Sequence, residues 1–134
     1  MPAVRSLLIL GRVSNLPTVW SNCLAGWWLG GGGNTWKLPF LFCGVTLLYI
    51  GGMYLNDAFD ADFDQQHRRE RPIPSGAVSL SVVWRLGFGF LLLGNALLFA
   101  VSASAGIFGS LLALVGLLVL LGGWRDRAAV NAVQ

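Results

Sequence analysis

Charge is what this sequence has least of. Asp, Glu, Lys and Arg make up only 11% of its 134 residues, against 55% hydrophobic residues and a mean hydropathy of +0.67. A soluble domain carries about 25% charged residues, so this composition excludes an ordinary water-soluble fold and points to a membrane protein. Negative charge is scarcest: five of the six acids fall between Asp57 and Glu70, leaving Asp126 alone elsewhere. Cysteine is nearly absent too. Cys23 and Cys43 both sit in apolar runs, where a thiol acts as a small hydrophobe, so neither a disulfide nor a metal site is expected from them. The net charge of +3 and pI near 9.4 could suit nucleic acid, but the bases flank apolar runs and form no stripe with interleaved aromatics. They read as juxtamembrane charge, and no nucleic-acid partner is expected. A cleaved leader is also a poor reading, because Gly11 and Arg12 cut short the apolar run Leu7 to Leu10 that follows Arg5.

What is there is a series of long apolar segments. Crossing the hydrocarbon core takes about 20 mainly apolar residues, and four segments qualify, at about 13–29, 39–64, 82–101 and 105–123, followed by a polar tail at 125–134. The glycines from Gly30 to Gly33 end the first, Ser79 or Ser81 is a candidate cap for the third, and the short "SASA" makes the last two an antiparallel hairpin. The fold class expected is all-α: a polytopic transmembrane helical bundle forming a single membrane domain, part of a larger bundle. Arg5, Arg12, Arg68, Arg69, Arg71, Arg85, Arg125 and Arg127 fall on one side and only Lys37 on the other. Positive charge concentrates inside, so both termini and the acidic loop are expected on the cytoplasmic face of the cytoplasmic membrane. Paired glycines such as Gly87 and Gly89 read as packing positions, and most tryptophans as an interfacial belt.

The acids crowd into "YLNDAFDADFDQQHRRERPIPSG", Tyr54 to Gly76. If the second helix runs on to Asp64, four-residue steps hold one face: relative to Asn56, Asp60 lies at about 40°, Asp64 at about 80°, Asp57 at about 100° and Asp62 at about 240°. Asn56, Asp57, Asp60 and Asp64 thus share a face, with Tyr49 and Met53 one or two turns deeper. Carboxylates stacked beside a membrane repel one another unless a cation neutralises them. Mg²⁺ suits the all-oxygen donors, since it is usually bound through one or two carboxylates together with substrate phosphates. Arg68 and Arg71 stand ready for a phosphate's remaining charge. Other readings fare worse. An EF-hand register starting at Asp60 puts Gln65 where glycine is needed and Arg71 where a bidentate Glu belongs. A solvated helix end suits Asp62, Arg69 and Glu70, and a solvated loop suits His67, but neither explains the aligned face. "RPIPSG" is a stiff turn.

"NDAFDADFD" followed by "ERPIPSG", together with "LGRVSNLPTVWSN" upstream, resembles the UbiA superfamily of intramembrane prenyltransferases over roughly Arg12 to Ser81. The resemblance implies an enzyme that transfers a polyprenyl group from a prenyl diphosphate to an acceptor, often aromatic or otherwise lipophilic, within the lipid membrane. By that likeness Asn56, Asp60 and Asp64 would serve catalysis, with Asp57 beside them holding Mg²⁺, while Arg68, Arg71, Arg12 and Asn15 would bind the diphosphate. Asn22 and Thr18 read instead as helix-to-helix hydrogen bonding. Members of the family are typically longer and carry a second aspartate-rich motif on a later helix. Beyond Glu70 this chain has only Asp126, so it is expected to be the amino-terminal part of such an enzyme, with little activity of its own. A non-catalytic subunit that binds cations, or pairs with a separate second half or another copy, is the alternative. A CDP-alcohol phosphotransferase lacks its D-G-x-x-A-R signature here.

Overall fold

A computed structural model describes residues Pro2 to Val133, and it is all-helical over them. The elements are α1 (Pro2–Leu10), α2 (Leu16–Leu29), α3 (Leu38–Phe59), α4 (Ala61–His67), α5 (Leu80–Val101) and α6 (Ala103–Val133), with single 3₁₀ turns at Val13–Asn15 and Thr35–Lys37. The expected helical membrane bundle is the observed class. Its boundaries differ from those expected in three places, each with a local cause.

The first apolar segment opens on a 3₁₀ turn, and its α-helix starts later than expected. Arg12 takes a left-handed conformation at φ 48°, unusual for a residue with a side chain, and α2 begins only at Leu16, with Pro17 in its first turn. At 14 residues, or about 21 Å, α2 falls short of the roughly 30 Å hydrocarbon core. Three helical segments are long and apolar enough to cross: Thr35–Phe59, Leu80–Val101 and Ala103–Val133. The second segment does not run unbroken to Asp64 either. Asp60, at φ −83° and ψ −5°, separates α3 from α4, although Asp60 N–H still donates to Asn56 and Asp64 N–H to Asp60. Finally, residues 125–133 are no separate tail but the last turns of α6.

Packing centres on α3 and α5. A Cβ on Gly51 would lie 2.9 Å from the Gly87 carbonyl oxygen, and one on Gly94 would lie 2.8 Å from that of Gly44, so these two backbones touch. Small residues permit such an approach where lipid gives no hydrophobic drive to association. Leu55 and Val83 are fully buried beside this seam, and Leu10, Tyr54, Ala58 and Val78 complete a small core toward the acidic end. Tyr54 also donates its hydroxyl to the Leu7 carbonyl at 3.2 Å, tying α1 to α3. Ser102 alone, in extended backbone, turns α5 into α6. Within the membrane that hairpin is held by Asn95 Nδ2 donating to Ser110 Oγ at 2.7 Å. Most of the remaining helix surface is apolar and exposed, α6 above all, as suits helices solvated by lipid or by further helices.

Candidate functional site at the inner end of α3

The end of α3 carries the acids out of the apolar seam one at a time. Asp57, the one acid of α3, is buried, Asp60 stands in the break, and Asp64 lies one turn into α4 and is only 2% exposed. Such burial needs partners. The stiff Arg71 to Ser75 turn supplies one: Arg71 Nη1 donates to Asp57 Oδ1 at 3.3 Å and to Asp64 Oδ2 at 3.0 Å. The turn is closed by Ser75 N–H donating to the Arg71 carbonyl at 2.9 Å. One guanidinium therefore bridges two carboxylates seven residues apart.

The expected column of Asn56, Asp60 and Asp64 is divided. Asp60 lies on the other side and pairs with Arg127 of α6. Asn56 turns its amide toward Asp57, with Nδ2 3.5 Å from Oδ1. Asp60, standing in the break and about 40° from Asp64 in helical phase, is drawn toward α6 by Arg127. Asp57, only about 20° from Asp64 in helical phase and two turns away along the chain, is the acid that shares Arg71 with it. Asp62 is exposed and away from both, as its phase indicates.

The bases divide as well. Arg68 approaches the other oxygen of Asp64, Oδ1, at 3.9 Å while half exposed, so its guanidinium is available to a ligand. Arg71 is committed to the acids. Arg12 is exposed on its left-handed turn. That turn is seated against α3 through Gly11, where a Cβ would lie 3.2 Å from Ile50. Asn15 is drawn deeper than expected, donating Nδ2 to the Tyr49 hydroxyl at 3.3 Å, about two turns below Asn56. Two features escaped the sequence reading. Trp20, 41% exposed, ties α2 to α3 by donating Nε1 to Thr46 Oγ1 at 2.8 Å, and Arg127 reaches the acids only because α6 continues past the apolar run.

Below the acids lies an apolar cavity of about 730 Å³ between α2, α3, α5 and α6. Val19, Leu48, Met53, Leu55, Leu91 and Leu120 are among its walls, with Tyr49 and Asn22 as polar points. Asn56 belongs to both regions, lining the cavity while its amide faces Asp57.

Among the described residues no group of three or more His, Cys, Asp or Glu side chains is arranged to hold a metal ion. The donors do fit Mg²⁺ bound with substrate phosphates: oxygen ligands only, two carboxylates close enough to share one guanidinium, and a buried Asp64 Oδ1 that accepts no hydrogen bond.

Comparison with known proteins gives the family. The family model described as the UbiA prenyltransferase family matches residues 15–125. The protoheme IX farnesyltransferase of Macrococcus caseolyticus is 33% identical over 96 residues, covering 70% of this chain and 31% of that protein. The digeranylgeranylglyceryl phosphate synthase of Methanoregula boonei is 32% identical over 93 residues, 69% of this chain and 33% of its own. The 4-hydroxybenzoate octaprenyltransferase of Albidiferax ferrireducens is 36% identical over 100 residues, 72% and 34% respectively. The chain thus spans about a third of the length of these relatives. No solved structure matches. With a buried pair of acids on the "NDAFDADFD" segment, an apolar cavity beneath it and a family match over residues 15–125, the chain belongs to the UbiA prenyltransferase family.

Proposed function

We propose that this chain supplies the prenyl-diphosphate site of an Mg²⁺-dependent membrane transferase that passes a prenyl group to an aromatic or other lipophilic acceptor. The observation that carries the reading is the juxtaposition of two buried carboxylates, Asp57 and Asp64, with a cavity of about 730 Å³, joined by Asn56. That is the shape of a ligand with a multiply charged head and a long apolar body.

In this reading Asp57 and Asp64 hold Mg²⁺, with Asn56 and Asp60 as further oxygen donors. The bound ion would neutralise the diphosphate and so ease its departure. The chain's own residues do the remainder. Arg68 and Arg12, both accessible, bind phosphate oxygens, and Arg71 keeps the two acids together and oriented. Asn15 acts through Tyr49, fixing its ring at the cavity wall. The apolar walls take the isoprenoid and keep water from the carbon that loses the diphosphate. Because the chain past Glu70 offers only Asp126, a second set of acids must come from other helices, and the chain alone is expected to bind without appreciable turnover. The exposed apolar face of α6, with Phe108, Leu114 and Leu118 each more than half exposed, favours pairing with further helices, which also accommodates a non-catalytic subunit.

A photoreactive prenyl diphosphate analogue tests the reading. Labelling should fall on half-buried α3 and α6 residues lining the cavity, such as Met53 and Leu120, and inorganic pyrophosphate with Mg²⁺ should compete it away. Labelling spread over the lipid-facing surface and indifferent to pyrophosphate would refute the site.

A further inference from the structure

Helix α6 is longer than its membrane task requires. Its 31 residues rise about 46 Å, against roughly 30 Å of hydrocarbon, so about ten residues project past the apolar layer. They project on the side where α3 ends, because α6 runs antiparallel to α5 and parallel to α3. The projecting turns meet the acidic segment directly: Trp124, Arg127 and Asn131 face Phe59, Asp62 and Phe63 across a small polar cleft of about 410 Å³. At its head Arg127 pairs with Asp60, whose side chain is 14% exposed. Arg127 also lies beyond residue 125, where the match to the family ends.

Every acid at the site thereby has an arginine partner, Arg71 for Asp57 and Asp64 and Arg127 for Asp60. The two arrangements differ in kind. Arg71 belongs to the turn that follows α4 and grips two carboxylates at once, whereas Arg127 comes from a separate helix and makes a single contact at a partly open cleft. The single contact is exchanged more readily for another cation, because freeing Asp60 moves one side chain of a separate helix, whereas freeing either acid from Arg71 breaks a bridge that holds both.

We propose that Arg127 is an intramolecular counter-cation that closes the acidic site: it occupies Asp60 when no divalent ion is bound and has to give up that carboxylate when the ion enters with a diphosphate. The contact is autoinhibitory. It rests on reading the acids as a divalent-cation site.

The experiment is Mn²⁺ binding in the presence of inorganic pyrophosphate, read by electron paramagnetic resonance on the full chain in detergent. Arg127→Gln should bind Mn²⁺ several-fold tighter, roughly the fivefold that one partly exposed ion pair can oppose. Arg127→Lys and Arg125→Gln should match the parent chain, the first because it keeps the competing charge, the second because Arg125 is exposed and outside the cleft. Equal gains from Arg125→Gln and Arg127→Gln would reduce the effect to general charge and overturn the inference. So would an Arg127→Gln chain that binds as the parent does; if Asp64→Asn still abolished binding, the cation-site reading would survive that failure. No Mn²⁺ binding by any variant would sink both.

Discussion

Arg71 and Arg68 both approach Asp64, and their environments set very different consequences for removing them. Arg71 bridges two buried carboxylates, so Arg71→Ala leaves two like charges facing each other out of water, an expected cost of about 2–4 kcal/mol. Arg68, half exposed and 3.9 Å away, should cost less than about 1 kcal/mol when changed to Ala. Unfolding of the purified variants in graded denaturing detergent measures the difference, and equal losses would mean that the bridge carries no special weight. Arg71→Ala combined with Asp57→Asn should recover part of the stability, since one of the two uncompensated charges is then gone. At this scale the sequence was informative about residue type more than partner. The acids, the amide and the bases were all legible in "NDAFDADFDQQHRRER", and a phase difference of about 20° set Asp57 and Asp64 on one line; the partner of Asp60, Arg127 on α6, was not legible, because it comes from a distant helix.

Among the elements, the α3–α5 seam depends on four glycines. Gly94→Ala would press a methyl group to about 2.8 Å from a backbone oxygen that cannot move aside, and should cost about 1–3 kcal/mol. Gly89→Ala, on the same helix with open space around it, should be neutral or slightly stabilising through helix propensity. Thermal denaturation of the two variants side by side decides whether close backbone approach, or glycine content as such, organises the pair. The sequence made the long apolar segments evident, because an 18-to-25-residue apolar run has few alternatives. It hid the breaks. Nothing in composition marks Arg12 as left-handed, nor shows that the neighbouring Gly11 packs against Ile50 on a distant helix. The helical continuation of α6 was likewise obscured by its change from apolar to polar residues, which alters the solvent of a helix without ending it.

Across the whole molecule, the arginines at the acidic end and the lone Lys37 at the other predict an orientation with that end in the cytoplasm. A cysteine placed at His67, which is exposed, should react with an impermeant maleimide in inside-out vesicles and stay unmodified in intact cells. The reverse pattern would invert the topology and put the proposed diphosphate site on the wrong face. The central claim is that a charged head held by Asp57 and Asp64 and an apolar body in the cavity are parts of one ligand. It is tested most directly by calorimetric titration of the purified chain with a non-hydrolysable prenyl diphosphate analogue, with and without Mg²⁺, against Asp57→Asn and Asp64→Asn. The account predicts Mg²⁺-dependent binding weakened at least tenfold by either substitution, about 1.4 kcal/mol or more. Binding of equal strength without Mg²⁺ and in both variants would contradict it.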